Sequence, residues 1–256
     1  MEKTEQLESS SNVLGIKVED LSWEQAFERV AKQLETPDQQ FKYAFLNANN
    51  ANLAANDEEY RKCLANTTVL PDGVGVDIAA KITSGQTFTA NLNGTDFIPG
   101  LFVYIEKPIT VALIGSTDEV VQHAAYFFKT ATPWHNFVAI SDGYFDINDS
   151  HHVLERLEQL KPDVVLVGMG TPYQEKWAET YLKPEHGKLI FTVGALFDFV
   201  SERVPRAPEN WRNLRLEWVY RLFMEPKRLW RRYIIGNPVF IWRIIYSNIF
   251  DRFVNR

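Results

Sequence analysis

From Ile109 onward the chain alternates between short, almost unbroken apolar runs and longer segments with apolar residues every three or four positions. The runs are "ITVALIG", "NFVAIS", "DVVLVGMG" and "KLIFTVGA"; between them lie "TDEVVQHAAYFFKTA", "HHVLERLEQL" and "PYQEKWAETYL". A strand apolar on both faces needs cover on both, and helices placed between such strands make the sheet parallel. Upstream, "LSWEQAFERVAKQLE" has a helical period and opens on Ser22 with Gln25 three residues on, the pattern of a capping box. "YAFLNANN" reads as a short strand running into an Asn-rich turn. "TTVLPDGVGVD" is another strand, broken by Pro71, with Asp72 and Gly73 at its carboxyl end. After Ala195 the alternation stops. "ENWRNLRLEWVYRLFMEPKRLWRRYIIG" and "PVFIWRIIYSNIFDRFVNR" read as helices broken at Pro226 and Pro238. The expected organisation is a disordered tail at 1–12, an α/β core at 13–200, and a helical appendage at 201–256.

Charge sharpens that division. The chain of 256 residues carries a formal net charge of -6. From Arg203 onward, eleven Arg and one Lys face Glu209, Glu217, Glu225 and Asp251, a local balance of +8. Segregation of this kind points to an anionic partner for the C-terminal segment alone. A hydrophobic fraction of 45% and a charged fraction of 23% are those of a globular protein. Cys63 is the only cysteine, so no internal disulfide can form and a reducing compartment is expected. It reads as a small buried side chain on a helix rather than a nucleophile. The first residues lack the apolar core of a signal peptide, and no uncharged apolar run reaches the ~18 residues of a membrane span. The expected location is the cytoplasm.

In open parallel sheets, ligands bind beyond the carboxyl ends of strands. Three polar clusters fall there: Asn47 with Asn49, Asp72 with Gly73, and the stretch from Gly168 to Glu175. Gly168 and Gly170 precede a helix that opens with Pro172, Gln174 and Glu175, so backbone N–H groups there can approach a phosphate. Tyr173 stands where a dinucleotide fingerprint has its last glycine, which disfavours a nicotinamide site. Ser116 and Asp118 read as helix caps. His123, His135, His151, His152 and His186 show no metal-ligand spacing, and no Ser–His–Asp order stands out.

"LPDGVGVDIAAKI", "NGTDF", "SDGYF", "GMGTPYQEKW", "GALFDFVSERVPRAP" and "LEWVYRLFMEPKRLWRRY" occur in that order. Together, over roughly residues 13–235, they resemble the bacterial WecG/TagA/CpsF family of glycosyltransferases. The resemblance implies a Rossmann-like core and an inverting, metal-independent enzyme without a cofactor. Such an enzyme moves a sugar from a UDP donor to an undecaprenyl-diphosphate-linked glycan at the inner face of the cytoplasmic membrane. By the same resemblance Asp72 is the catalytic base, and Arg221, Arg228 and Arg231 match the arginines of the family's appendage. Substrate contacts are expected from Asn47, Asn49, Asn91, Gly168, Gly170, Gln174, Glu175 and Arg206. The chain departs from the family where Asn47-Ala48-Asn49 replaces Thr-x-Asn, and where Asn91 replaces an Arg before the Gly-x-Asp motif. Both departures fall at the expected substrate pocket, which leaves N-acetylmannosamine-type donors, glucose and uronic acids open.

A direct displacement needs one carboxylate to take the acceptor's proton, not the carboxylate pair of a hydrolase. Arginine offers a fixed fork for the charge that gathers on the departing diphosphate. The tail carries a second expectation. Lys227, Arg232 and Arg243 interleave with Trp230, Tyr233, Phe240 and Trp242, a pattern suited to anionic headgroups and the acyl boundary, and preferred here over nucleic acid. A homo-oligomer is left open. The alternative from another class is a non-catalytic nucleotide-binding scaffold held at the membrane.

Overall fold

The structure, a computed structural model, describes residues 9–213 and 216–254. It begins with a hairpin: β1 (Ser9–Val13) pairs antiparallel with β2 (Ile16–Asp20). Leu14 and Gly15 turn it with positive φ at both residues, and Asn12 Oδ1 accepts from the Gly15 N–H at 2.7 Å. Residues 9–12, expected in a disordered tail, are therefore strand; residues 1–8 of that tail lie outside the described residues. Next come α1 (Trp23–Glu35) with its Ser22/Gln25 capping box, β3 (Phe41–Leu46), α2 (Ala48–Ala54), α3 (Glu58–Ala65), β4 (Thr68–Pro71), α4 (Val74–Ser84) and α5 (Gly94–Tyr104). The Asn-rich "turn" after β3 is the start of α2: Asn47 caps it, its side chain accepting from Asn50 N.

The regular half runs β5 (Thr110–Gly115), α6 (Asp118–Ala131), β6 (Asn136–Ser141), α7 (His151–Leu160), β7 (Val164–Gly168), α8 (Tyr173–Tyr181), a 3-10 turn (Pro184–His186), β8 (Leu189–Thr192) and α9 (Leu196–Val200). Strands β3 to β8 form one parallel sheet in the order β4-β3-β8-β7-β5-β6. Apolar layers cover both faces, one around Leu113, Leu166 and Phe191 and the other around Ala112, Val165 and Ile190. Cys63 is buried on α3, where burial pushes its thiol up to about 11.

At the carboxyl end β5 and β7 meet with almost no clearance. Gly115 has φ +137°, and a Cβ there would lie 2.3 Å from the Gly168 carbonyl oxygen. Gly115→Ala is therefore expected to destabilise the chain by about 1–3 kcal/mol, read as a lower urea midpoint at unchanged slope. An unshifted midpoint would contradict this packing.

The appendage contains α10 (Glu209–Asn213), α11 (Glu217–Met224) and α12 (Pro226–Trp230), then a π-wound turn at Arg231–Ile235 and α13 (Gly236–Val254). Pro226 does open a new helix. Pro238 breaks nothing: α13 runs through it. The carbonyl its ring would strike, that of Ile234, belongs to the wider π turn, which accommodates the ring. Nor is α13 a loose tail. Phe240 and Ile244 are buried among Ala48, Ala51 and Val76, so its inner face closes the core over α2 and α4.

Candidate active site

A cleft of about 740 Å³ opens beyond the carboxyl ends of all six parallel strands. Asp72 stands on its floor, directly after β4, fixed by its own N–H donating to Leu46 O at 2.9 Å. Its Oδ2 accepts from Asn47 Nδ2 at 3.1 Å. Asn47 Oδ1 meanwhile accepts from Asn50 N at 3.1 Å as the cap of α2, so the amide presents its donor side to the carboxylate. Burial raises the Asp72 carboxyl above its ordinary value; Asn47, Arg232 and Arg221 oppose that rise, and Asp96 adds to it. Asn91 lies one layer away. Its side chain accepts from Gly73 N at 2.7 Å and holds the Asp-Gly turn, and it is not among the cleft's lining residues.

Gly168, Gly170 and Gln174 line the cleft, as does Asn49. Gln174 is a brace: its Oε1 accepts from Gly170 N at 3.2 Å and Gly194 N at 3.1 Å, tying the loops after β7 and β8 together. Glu175 does not reach the cleft. It is buried beneath, accepting from Thr171 Oγ1 at 3.0 Å and Gln174 Nε2 at 2.7 Å, and burial raises its carboxyl pKa against those bonds. Ser116, read from sequence as a cap, is freed from that duty by Thr117, which caps α6; Ser116 lines the wall and donates to Asp198 Oδ1 at 3.2 Å. Arg203, which sequence reasoning passed over, also lines the cleft and pairs with Asp198 at 3.5 Å. Within "SERVPRAP" nothing local separates it from Arg206.

The appendage closes the cleft with Arg221, Arg228 and Arg232. Arg228 pairs with Glu225, and Arg221 stacks its guanidinium over Phe199 at 5.0 Å. Two expectations change places here. Arg231, expected at the chemistry, is exposed beside the Trp230 ring and is absent from the lining. Arg232, expected at the membrane, turns inward and sits 3.5 Å from Asn47 Oδ1. Arg206 does not line the cleft either; it joins Asp96 at 2.6 Å to Glu217 at 3.5 Å and so fastens the appendage to the core. Among the described residues, no group of three or more His, Cys, Asp or Glu is arranged to hold a metal ion.

The remaining tail residues divide by face. Lys227, Trp230 and Trp242 are exposed. Tyr233 and Phe240 are buried instead, Tyr233 against Trp218 at 5.6 Å. Arg243 is committed to α2, donating to Asn52 O at 3.0 Å and Asn56 Oδ1 at 2.9 Å. On the outer face, Ile235, Val239, Trp242, Ile245, Tyr246 and Ile249 remain exposed.

A parallel six-stranded sheet whose strand-end cleft holds Asp72 and is lined by Arg221, Arg228 and Arg232 defines an α/β protein with a charged strand-end site. The chain belongs to the WecG/TagA/CpsF family of glycosyl transferases, whose family model matches residues 11–253. It is 37% identical over 134 residues to an N-acetylglucosaminyldiphosphoundecaprenol N-acetyl-beta-D-mannosaminyltransferase of Staphylococcus aureus strain MW2. The same identity holds for the protein so named from strain MRSA252. Those matches cover 52% of this chain and 51% of each relative, so the chain spans about half the length of the curated relatives it matches.

Proposed function

We propose that this protein is an inverting glycosyltransferase that moves N-acetylmannosamine from a UDP donor to N-acetylglucosamine on undecaprenyl diphosphate. The carrying observation is Asp72 on the cleft floor beneath Arg221, Arg228 and Arg232. The relatives' names support the sugar and the acceptor. In this reading the acceptor hydroxyl attacks the anomeric carbon, and Asp72 takes the proton as the new C–O bond forms. The bond to UDP breaks with its electron pair, leaving on the diphosphate, where arginine forks meet the developing charge. A carboxyl raised by burial is a stronger base than a solvated one, which suits this step. The base works deprotonated, so turnover should fall as pH drops through that raised pKa.

The test is transfer of labelled sugar from UDP-N-acetylmannosamine, UDP-glucose and UDP-uronic acids to lipid-diphosphate-linked N-acetylglucosamine, in EDTA. N-acetylmannosamine is the donor expected to work, and chelation should leave transfer intact. UDP binding with no transfer from any donor would favour a non-catalytic scaffold.

The exposed stripe of α13 is read as the surface that meets the bilayer holding the lipid-linked acceptor. Among the described residues no helix is long and apolar enough to cross a membrane, so the stripe would lie along the interface. Because the opposite face of α13 is core, deletion would unroof the fold, and point changes are the cleaner probe. Replacing Trp242, Tyr246 and Ile249 together by Ser is expected to weaken binding to anionic vesicles by roughly tenfold or more, burial of one large apolar side chain being worth about 1.5–3 kcal/mol. Turnover on a short-chain, water-soluble acceptor should stay within a few-fold. Unchanged vesicle binding would remove the stripe from this role.

A further inference from the structure

We propose that Arg232 is a positioning residue for Asp72, coupled to it through the Asn47 side chain and through its own charge. The inference rests on reading Asp72 as the general base. Its basis is a three-residue chain across the cleft floor. Arg232 Nη2 lies 3.5 Å from Asn47 Oδ1, and Asn47 Nδ2 lies 3.1 Å from Asp72 Oδ2. The cap bond to Asn50 N fixes which way the amide faces, so a cation on its oxygen strengthens the donor it turns to the carboxylate.

Two other arginines that line the cleft have carboxylate partners: Arg203 pairs with Asp198 and Arg228 with Glu225. Arg221, the third, lies over the Phe199 ring. Arg232 has Asn47 as its hydrogen-bond partner among the described residues, and its buried Nε has none. Burial pulls its guanidinium below the ordinary value, with Asp72 opposing that pull, yet an arginine remains charged. The half-buried Arg232 cation, one amide away from the Asp72 carboxylate, is attracted by that carboxylate and repelled by Arg221 and Arg228. The charged groups around Asp72 are Arg221 from α11, Arg232 from the π turn and Asp96 from α5, itself paired to Arg206. Of these, Arg232 alone reaches the residue that touches the carboxylate. Its neighbour Arg231 points away over Trp230 and serves as the internal control.

The experiment follows the Asp72 carboxyl by carbon NMR across pH in the full chain labelled at Asp carboxyls, with Asp72→Asn identifying the signal. Arg232→Gln should raise the Asp72 pKa by about 1–3 units, the effect of removing a nearby opposite charge. Arg232→Met, which keeps the stem's packing, should do the same if the Gln variant folds poorly. Arg232→Lys should bring the titration back toward the unmodified chain, and Arg231→Gln should leave it in place. The acidic limb of kcat/KM should move to higher pH by the same amount, with kcat recovering at alkaline pH. An Asp72 titration unmoved by both charge-removing variants overturns the coupling, as does an equal shift from Arg231→Gln. The titration needs no substrate, so the two failures separate. A shift without any sugar transfer would sink the glycosyltransferase reading alone, whereas transfer with an unmoved titration would sink the coupling alone.

Discussion

Asp72→Asn is expected to lower turnover by roughly 10²–10⁴-fold, the range that a positioned general base contributes, while UDP binds as before. The substitution keeps the shape of the side chain and removes the oxygen proposed to receive the acceptor's proton. It also sets an amide against Asn47 Nδ2, which now donates to the carboxylate at 3.1 Å; the new amide can answer with its own oxygen, so the floor should keep its geometry. Retained UDP affinity is the control that separates lost chemistry from lost structure. The residual activity should also lose its acid limb, because the group whose protonation set that limb is gone. Turnover within a few-fold of the unmodified chain would end the assignment of Asp72 as base.

The second large effect belongs to the roof. Arg221→Ala and Arg228→Ala are each expected to cut turnover by about 10²–10³-fold, the cost of removing one preorganised donor from a site of developing charge. Arg221 lies over the Phe199 ring and has no carboxylate partner among the described residues, so its fork can turn to a phosphate. Arg228 rests against Glu225 and would have to exchange that partner for the diphosphate, so its loss should raise UDP-sugar KM less than the loss of Arg221. Both losses should persist on a water-soluble acceptor, where membrane docking plays no part. On that acceptor Arg231→Ala should cost far less than either, since Arg231 faces outward. Equal losses for Arg231 and Arg221 would contradict the inward and outward division of the tail.

That division marks where sequence stops being sufficient. The strands and helices from Ile109 to Ala195 are legible because apolar residues on both faces and helical spacing leave one sensible layout, and β5 to β8 follow it. Asp72 is legible as a strand-end acid for the same reason. The N-terminal hairpin was hidden because Ser9, Ser10, Ser11 and Asn12 carry no apolar alternation; its stability comes from the Leu14–Gly15 turn and from Val13, Ile16 and Val18 entering the core. The tail was hidden for a geometric reason. A π turn holds more residues than an α turn, so everything after Arg231–Ile235 is rotated relative to the phase a regular helix would give. Which of Phe240 and Trp242 faces outward depends on that rotation and not on composition. Glu175, Asn91 and Arg206 show a different limit: each stands beside the cleft in sequence terms, yet each is spent on holding a neighbour, which only the hydrogen-bond partners reveal.

On the proposed reading, transfer is a single direct displacement at the anomeric carbon, with Asp72 as base and the arginines of the cleft on the departing diphosphate. The most direct test is the anomeric configuration of the transferred sugar, read by NMR on product made from an α-linked UDP-N-acetylmannosamine donor and lipid-diphosphate-linked N-acetylglucosamine. One displacement predicts a β-linked product. An α-linked product would mean net retention, which one backside displacement cannot give, and would exclude Asp72 acting as the base of a single inverting step.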